Sequence, residues 1–128
     1  MADERREAGT AIRREMFGDE YVDEMEKKRT PFNSDFRDFL AGTVYGTIWS
    51  RPALDRRTRS CITVAMLVAL GHYEELPLHV RGALKNGVSR EELREVLLQT
   101  AVYAGVPAAN TAFAVAGQAL KDADPTPA

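Results

Sequence analysis

The sequence predicts an all-α fold of about six helices. Three observations support this. No segment alternates polar and apolar residues as a half-buried strand does. Apolar residues recur at helical spacing between stops made of Gly, Pro and Asn. Ser89 and Glu92 have the capping-box spacing, ahead of the apolar Leu93 and Val96.

The elements follow in order. A charge-laced helix is predicted over Asp3 to Met16, with Phe17-Gly18 as its stop, and a short helix over Tyr21 to Lys28. Thr30-Pro31 breaks the chain. Phe32, Phe36, Phe39, Leu40, Val44 and Ile48 then recur at helical spacing, giving a helix to about Trp49. Ser50-Arg51-Pro52 interrupts it, because a residue before proline avoids the helical region. Asp55 can cap the next helix, which runs to Leu70 and stops at Gly71. Its middle, CITVAMLVAL, is apolar on nearly every face, so it is expected to be buried all round, in a core or between subunits. In a chain this small, that favours an oligomer. The next helix starts near Glu74 to Pro77 and ends at Asn86-Gly87; proline suits a first turn and glycine a C-terminal cap. The capping-box helix carries Leu93, Val96, Leu97, Thr100 and Ala101 on one face and ends at Ala104-Gly105. Pro107 opens the last helix, with Ala112, Phe113, Ala116 and Leu120 facing inward. Residues 1–121 read as one domain, and residues 122–128 as a frayed tail.

The bulk composition narrows the function. A chain of 128 residues can bury a real core. The net charge of −2 supplies no global field for nucleic acid. Of 17 basic residues, 13 are Arg and 4 are Lys. Arginine is the better fork for carboxylates, although genome composition produces the same bias. Cys61 is the one cysteine, which excludes an intrachain disulfide and a Cys-x-x-Cys redox pair. The charged start MADERREAGT lacks an apolar signal region, and the near-apolar run Cys61 to Gly71 is too short to span a bilayer. A cytoplasmic enzyme or binding protein is expected, without nucleic-acid or membrane partners.

His79 leads the candidate residues. It lies among Leu76, Leu78 and Leu84 near a helix start, where it is either a satisfied core histidine or an acid–base group. Glu75, four residues earlier, shares its face in a continuous helix. Its carboxylate can orient the imidazole and raise its pKa, making it an acid near neutrality, or simply complement the helix dipole. His72 completes a His-x-x-Glu-x-x-x-His pattern of suitable metal ligands. The spacing matches neither the His-Glu-x-x-His zinc helix nor a closed zinc site, and no metal is assigned.

Arg51, between Ser50 and Pro52, can either fork a ligand carboxylate or cap the preceding helix. Trp49 is core, and its ring can also wall an apolar pocket. Arg56, Arg57 and Arg59 lack interleaved aromatics and read as a solvated or subunit-contact face. Cys61 sits in an apolar run, where a buried thiol is inert. Tyr103 and Asn110 flank the Gly105-Val106-Pro107 turn; their polar ends need backbone, subunit or ligand partners if buried.

Four segments together resemble the carboxymuconolactone decarboxylase family: WSRP (49–52), RTRS (57–60), LHVRGALKNGVSREEL (78–93) and LLQTAVYAGVPAAN (97–110). The likeness extends over roughly Arg5 to Lys121. The last segment resembles the branch that acts on 4-carboxymuconolactone. The histidine-to-capping-box portion is shared with the alkylhydroperoxidase D-like superfamily. The alkylhydroperoxidase D proteins of that superfamily carry Cys-x-x-Cys-x-x-x-His and an upstream glutamate as a redox pair and proton relay. Here His79 takes the histidine position, His72 and Glu75 the two cysteine positions, and Ser60 the upstream glutamate position. The redox half is therefore missing.

The resemblance implies a compact alkylhydroperoxidase D-like domain and a homo-oligomer, commonly a hexamer. It implies cofactor-free decarboxylation of 4-carboxymuconolactone to 3-oxoadipate enol-lactone in protocatechuate catabolism, the β-ketoadipate pathway. His79, oriented by Glu75, is the expected proton donor, and Arg51 the expected carboxylate clamp. Trp49 is an expected apolar wall, and Tyr103 or Asn110 an oxyanion donor. Arg81 is a second anion binder or a surface residue. The alternative is an oligomeric superfamily member with another specificity or none, such as a binding or stress protein.

Overall fold

Every regular element among the described residues is helical, as the absence of strand alternation requires. The computed structural model describes residues 2–124. It contains α1 (Ala2–Phe17), α2 (Asp19–Lys27), α3 (Ser34–Phe39) running into a π-helical stretch (Leu40–Ile48), α4 (Arg56–Leu70), α5 (Leu76–Lys85), α6 (Arg90–Tyr103) and α7 (Val106–Ala123). The chain divides into two compact units after Asp55.

In the first unit, α1 ends where Gly18 adopts φ +90°, and α2 starts at the next residue. A glycine accepts that left-handed conformation without a Cβ clash. Thr30 and Asn33 close the following turn reciprocally. The Thr30 amide donates to Asn33 Oδ1 at 2.8 Å, and the Asn33 amide to Thr30 Oγ1 at 3.3 Å. Beyond α3 the helix widens, and the Trp49 amide donates to the Val44 carbonyl, five residues back, at 3.0 Å. Helix α1 packs directly on this widened stretch. A Cβ on Gly9 would lie 1.6 Å from the Ala41 carbonyl oxygen, and one on Gly46 would lie 2.1 Å from the Arg5 carbonyl oxygen. Backbone thus meets backbone, which only glycine allows. Ile12, Met16, Tyr45 and Trp49 form the small core beside this crossing.

The predicted apolar stripe of this region is not the face that α1 covers. Phe32, Phe36, Phe39 and Ile48 are exposed, whereas Ala41, Gly42, Tyr45 and Trp49 are buried. The i→i+5 pattern takes the stretch out of the 3.6-residue register, and close contact with α1 selects small residues.

In the second unit, α5 and α6 each pack against both α4 and α7. Val64 and Val68 of α4, Leu76, Val80 and Ala83 of α5, and Leu93 and Leu97 of α6 meet the alanine face of α7. That face is Ala109, Ala112, Ala116 and Ala119; Phe113, expected inside, is 38% exposed. Helix α4 is covered on one side only. Ile62, Met66 and Leu70 remain exposed, so burial all round is not achieved within the chain. The capping box forms as predicted: the Glu92 amide donates to Ser89 Oγ at 3.0 Å and the Ser89 amide to Glu92 Oε1 at 2.9 Å. Helix α7 continues to Ala123, past Asp122 where the tail was expected to begin; residues 125–128 of that predicted tail lie outside the described residues. No helix of the described residues is long and apolar enough to cross a membrane.

Two alanine substitutions should have opposite signs. Gly9→Ala forces α1 off its neighbour and should cost about 2–3 kcal/mol or more. Gly117, inside α7 with nothing within 4 Å of a built Cβ, should gain about 0.5–1 kcal/mol as alanine. Urea unfolding of both variants checks this; a neutral Gly9→Ala would refute the backbone crossing.

Candidate active site

Helix α5 can start at Leu76 because Pro77 occupies its first turn, where a missing amide costs nothing. Glu75 is the N-cap, and the His79 amide donates to the Glu75 carbonyl at 3.3 Å. Leu76, Val80 and Ala83, at spacings of four and three, are wholly buried. His79 lies on the flank of that face and is half-buried as a consequence.

This position sets its protonation. Burial pushes the His79 imidazole below its ordinary value of 6.5, and the Glu75 carboxylate pulls it upward by a smaller amount. Glu75 is exposed, so water weakens its attraction, whereas desolvation acts on the imidazolium directly. The expected upward shift from Glu75 is therefore present but outweighed. At neutral pH His79 is the uncharged imidazole.

The other predicted residues are placed as follows. Arg81, two residues on, is exposed. His72 is exposed in the turn before α5 and is not part of that helix. Among the described residues, no group of three His, Cys, Asp or Glu side chains could hold a metal ion. Tyr103 closes α6 and is 82% exposed, just before Gly105 turns the chain at φ +102°. It lines an apolar groove of about 550 Å³ with Cys61, Ile62 and Val96, a wall that does not include His79. Asn110 is exposed on α7.

Trp49 and Arg51 belong to the first unit. Trp49 is buried and stacked on Tyr45, with ring centroids 5.7 Å apart. Arg51 is exposed, and its amide donates to the Ile48 carbonyl at 3.1 Å. Glu75 and His79 share the first turn of α5.

Two connections in the second unit are not readable from the sequence. Asn86, read only as a helix stop, donates from Nδ2 to the buried Ser60 Oγ at 2.9 Å, tying the end of α5 to α4. Ser60, at the superfamily's glutamate position, thus serves as a structural acceptor. Arg57 pairs with Glu92, so one carboxylate serves both the capping box and an α4–α6 ion pair. A sequence separation of 26 residues hides the first connection; the capping-box glutamate is the visible half of the second.

A sequence profile of the carboxymuconolactone decarboxylase family matches residues 34–118. The chain belongs to the carboxymuconolactone decarboxylase family. Among family relatives, it is 42% identical to the 4-carboxymuconolactone decarboxylase of Acinetobacter baylyi over 123 residues, covering 95% of this chain and 92% of that protein. It is 37% identical to the nitrosuccinic acid decarboxylase of Metarhizium robertsii over 114 residues, 89% of this chain and 80% of that one. A protein of 15.0 kDa from Paracoccus denitrificans is 29% identical over 62% of this chain. Decarboxylation is thus a chemistry of this family, performed on more than one acid.

The buried imidazole makes stability depend on pH with a definite sign. Unfolded, His79 takes a proton at about pH 6.5; folded, it does so only at lower pH. Its neutral burial is fully compatible with folding above about pH 6.5, and stability falls as pH drops below that value. Unfolding free energies at about pH 8 and about pH 5 should therefore differ less in His79→Gln than in the parent. Equal differences would show that His79 is not desolvated.

Proposed function

We propose that this protein is a cofactor-free carboxy-lyase that converts 4-carboxymuconolactone to 3-oxoadipate enol-lactone in protocatechuate catabolism. The observation that carries this reading is the 42% identity to a 4-carboxymuconolactone decarboxylase over nearly the full length of both chains. We place it in the cytoplasm as a homo-oligomer, with a hexamer as the expected form. The apolar Ile62, Met66 and Leu70 left uncovered on α4 support association.

The substrate supplies its own electron sink. As the ring carboxylate leaves as CO2, its electron pair runs through the ring double bond onto the lactone carbonyl oxygen. A proton delivered to the ring carbon beside that carbonyl completes the product. The protein has to hold the acetate arm, stabilise the dienolate oxygen and deliver the proton.

His79, oriented by Glu75, is our proton donor. It is neutral in the free protein, so it gains its proton when an anionic substrate arrives, because a nearby negative charge raises the imidazole pKa. Arg51 is assigned a substrate carboxylate, which its planar fork suits, and Trp49 an apolar wall. Tyr103 or Asn110 serves the oxyanion, and Arg81 is a further anion contact.

A second acid is favoured by the 37% identity to a nitrosuccinic acid decarboxylase. A nitro group beside the departing carboxylate is likewise a built-in electron sink, so the same proton delivery suits both substrates.

Purified protein given 4-carboxymuconolactone should consume the conjugated lactone, followed by its ultraviolet absorbance, faster than it consumes nitrosuccinate. The reverse order would assign the second substrate, and no turnover of either would refute the reading. His79→Gln should lower kcat by roughly 10²-fold, and near-normal turnover would remove it as the acid. Arg51→Lys should chiefly raise KM, since a point charge replaces a fork.

A further inference from the structure

The first unit contains a polar cleft of about 490 Å³, walled by α1, α2 and the start of the α3–π helix. Five arginines line it, against three carboxylates. Three of the five are held by acids. Arg6 pairs with Asp3 and Asp38, Arg14 with Asp19 and Asp23, and Arg29 with Glu26 and Asp38.

Arg13 and Arg37 are different. The Nε of each is buried with no hydrogen-bond partner among the described residues. Arg13 is only 9% exposed, and its guanidinium lies 5.6 Å from the centre of the Tyr45 ring. A ring face offsets part of the cost of burying a cation, but it does not accept from every N–H of a fork. Neither side chain makes a hydrogen bond or ion pair among the described residues, so each fork has N–H groups left for an acceptor in the cleft that it lines.

We propose that this cleft is an anion site for a small carboxylate, bound by Arg13 and Arg37. Two guanidinium forks match carboxylate groups in geometry and in charge. Glu7, Glu26 and Asp38 in the same wall disfavour a polyanion, so the site takes a small mono- or dicarboxylate. The site is independent of the decarboxylase reading, since none of the residues assigned to that reaction lines it.

The protein carries its own reporter. Trp49 is the one tryptophan, and it stacks on the Tyr45 ring over which Arg13 lies. Titration with succinate, at ionic strength fixed with chloride, should give a saturable change in Trp49 fluorescence. Arg37→Gln, at the less buried position, should weaken that binding about tenfold or more. Arg13→Lys, which keeps the charge and loses the fork, should weaken it as well, and circular dichroism confirms that both variants are folded. Arg51→Lys should bind succinate as the parent does, which separates this cleft from the proposed substrate clamp beside Trp49.

Absence of saturation, undiminished binding in Arg37→Gln, or loss of binding only in Arg51→Lys would each overturn the proposal. Inorganic phosphate binding as tightly as succinate would overturn the carboxylate assignment. Sedimentation run alongside decides the remaining source of a carboxylate. A succinate response that appears only as subunits dissociate would give the cleft to a side chain of a second copy and overturn the small-molecule site.

Discussion

Helix α5 must hide Leu76, Val80 and Ala83, and that requirement governs the second unit. Satisfying it places α5 between α4 and α7, anchors its far end through Asn86 and Ser60, and carries His79 into a half-dry setting. The histidine is not buried for its own sake. It follows a helix whose hydrophobic face has no other place to go, and its charge state is a by-product of that packing. Glu75 opposes the effect from an exposed N-cap, where solvent screens it.

The chemical consequence concerns where a proton comes from. An imidazole already charged in the free protein would need no help from its substrate. In the proposed role, one kept neutral by burial becomes an acid only when negative charge arrives, so proton uptake would be coupled to occupancy. Where the resemblance to the alkylhydroperoxidase D proteins would put two cysteines ahead of this histidine, the present chain has His72 and Glu75. Removing the thiols removes the redox half of the site and leaves a group whose behaviour depends on desolvation and on the ligand. Two family relatives with different acids in their names fit a site in which the substrate brings the electron sink.

Local chemistry was legible in the sequence, and long-range packing was not. The Ser89–Glu92 box, Pro77 and Pro107 in first helical turns, and the glycine stop after α4 depend on neighbours within a few residues, and all of them form. The phenylalanine stripe misled because a π-helical stretch shifts the register, and a glycine crossing with α1 decides which face is covered. Phe113 misled because α7 packs through alanines, one position out of phase. His79 and Glu75 were legible as a pair from their spacing of four. The sign of the resulting shift was not, because it compares a local charge with burial set by the packing of α5 against distant parts of the chain. Arg13 and Arg37 lie 24 positions apart, and the excess of arginine over lysine was the one trace of them in the composition.

At His79, burial outweighs the Glu75 carboxylate. Nuclear magnetic resonance titration of the imidazole protons in the free protein tests it most directly, with the two histidines assigned through His79→Gln. The His79 midpoint should lie below 6.5 and move lower still when Glu75 is replaced by glutamine. A midpoint above 6.5 that drops to the ordinary value in Glu75→Gln would contradict it, and would mean that the carboxylate rather than the packing sets the state of this histidine.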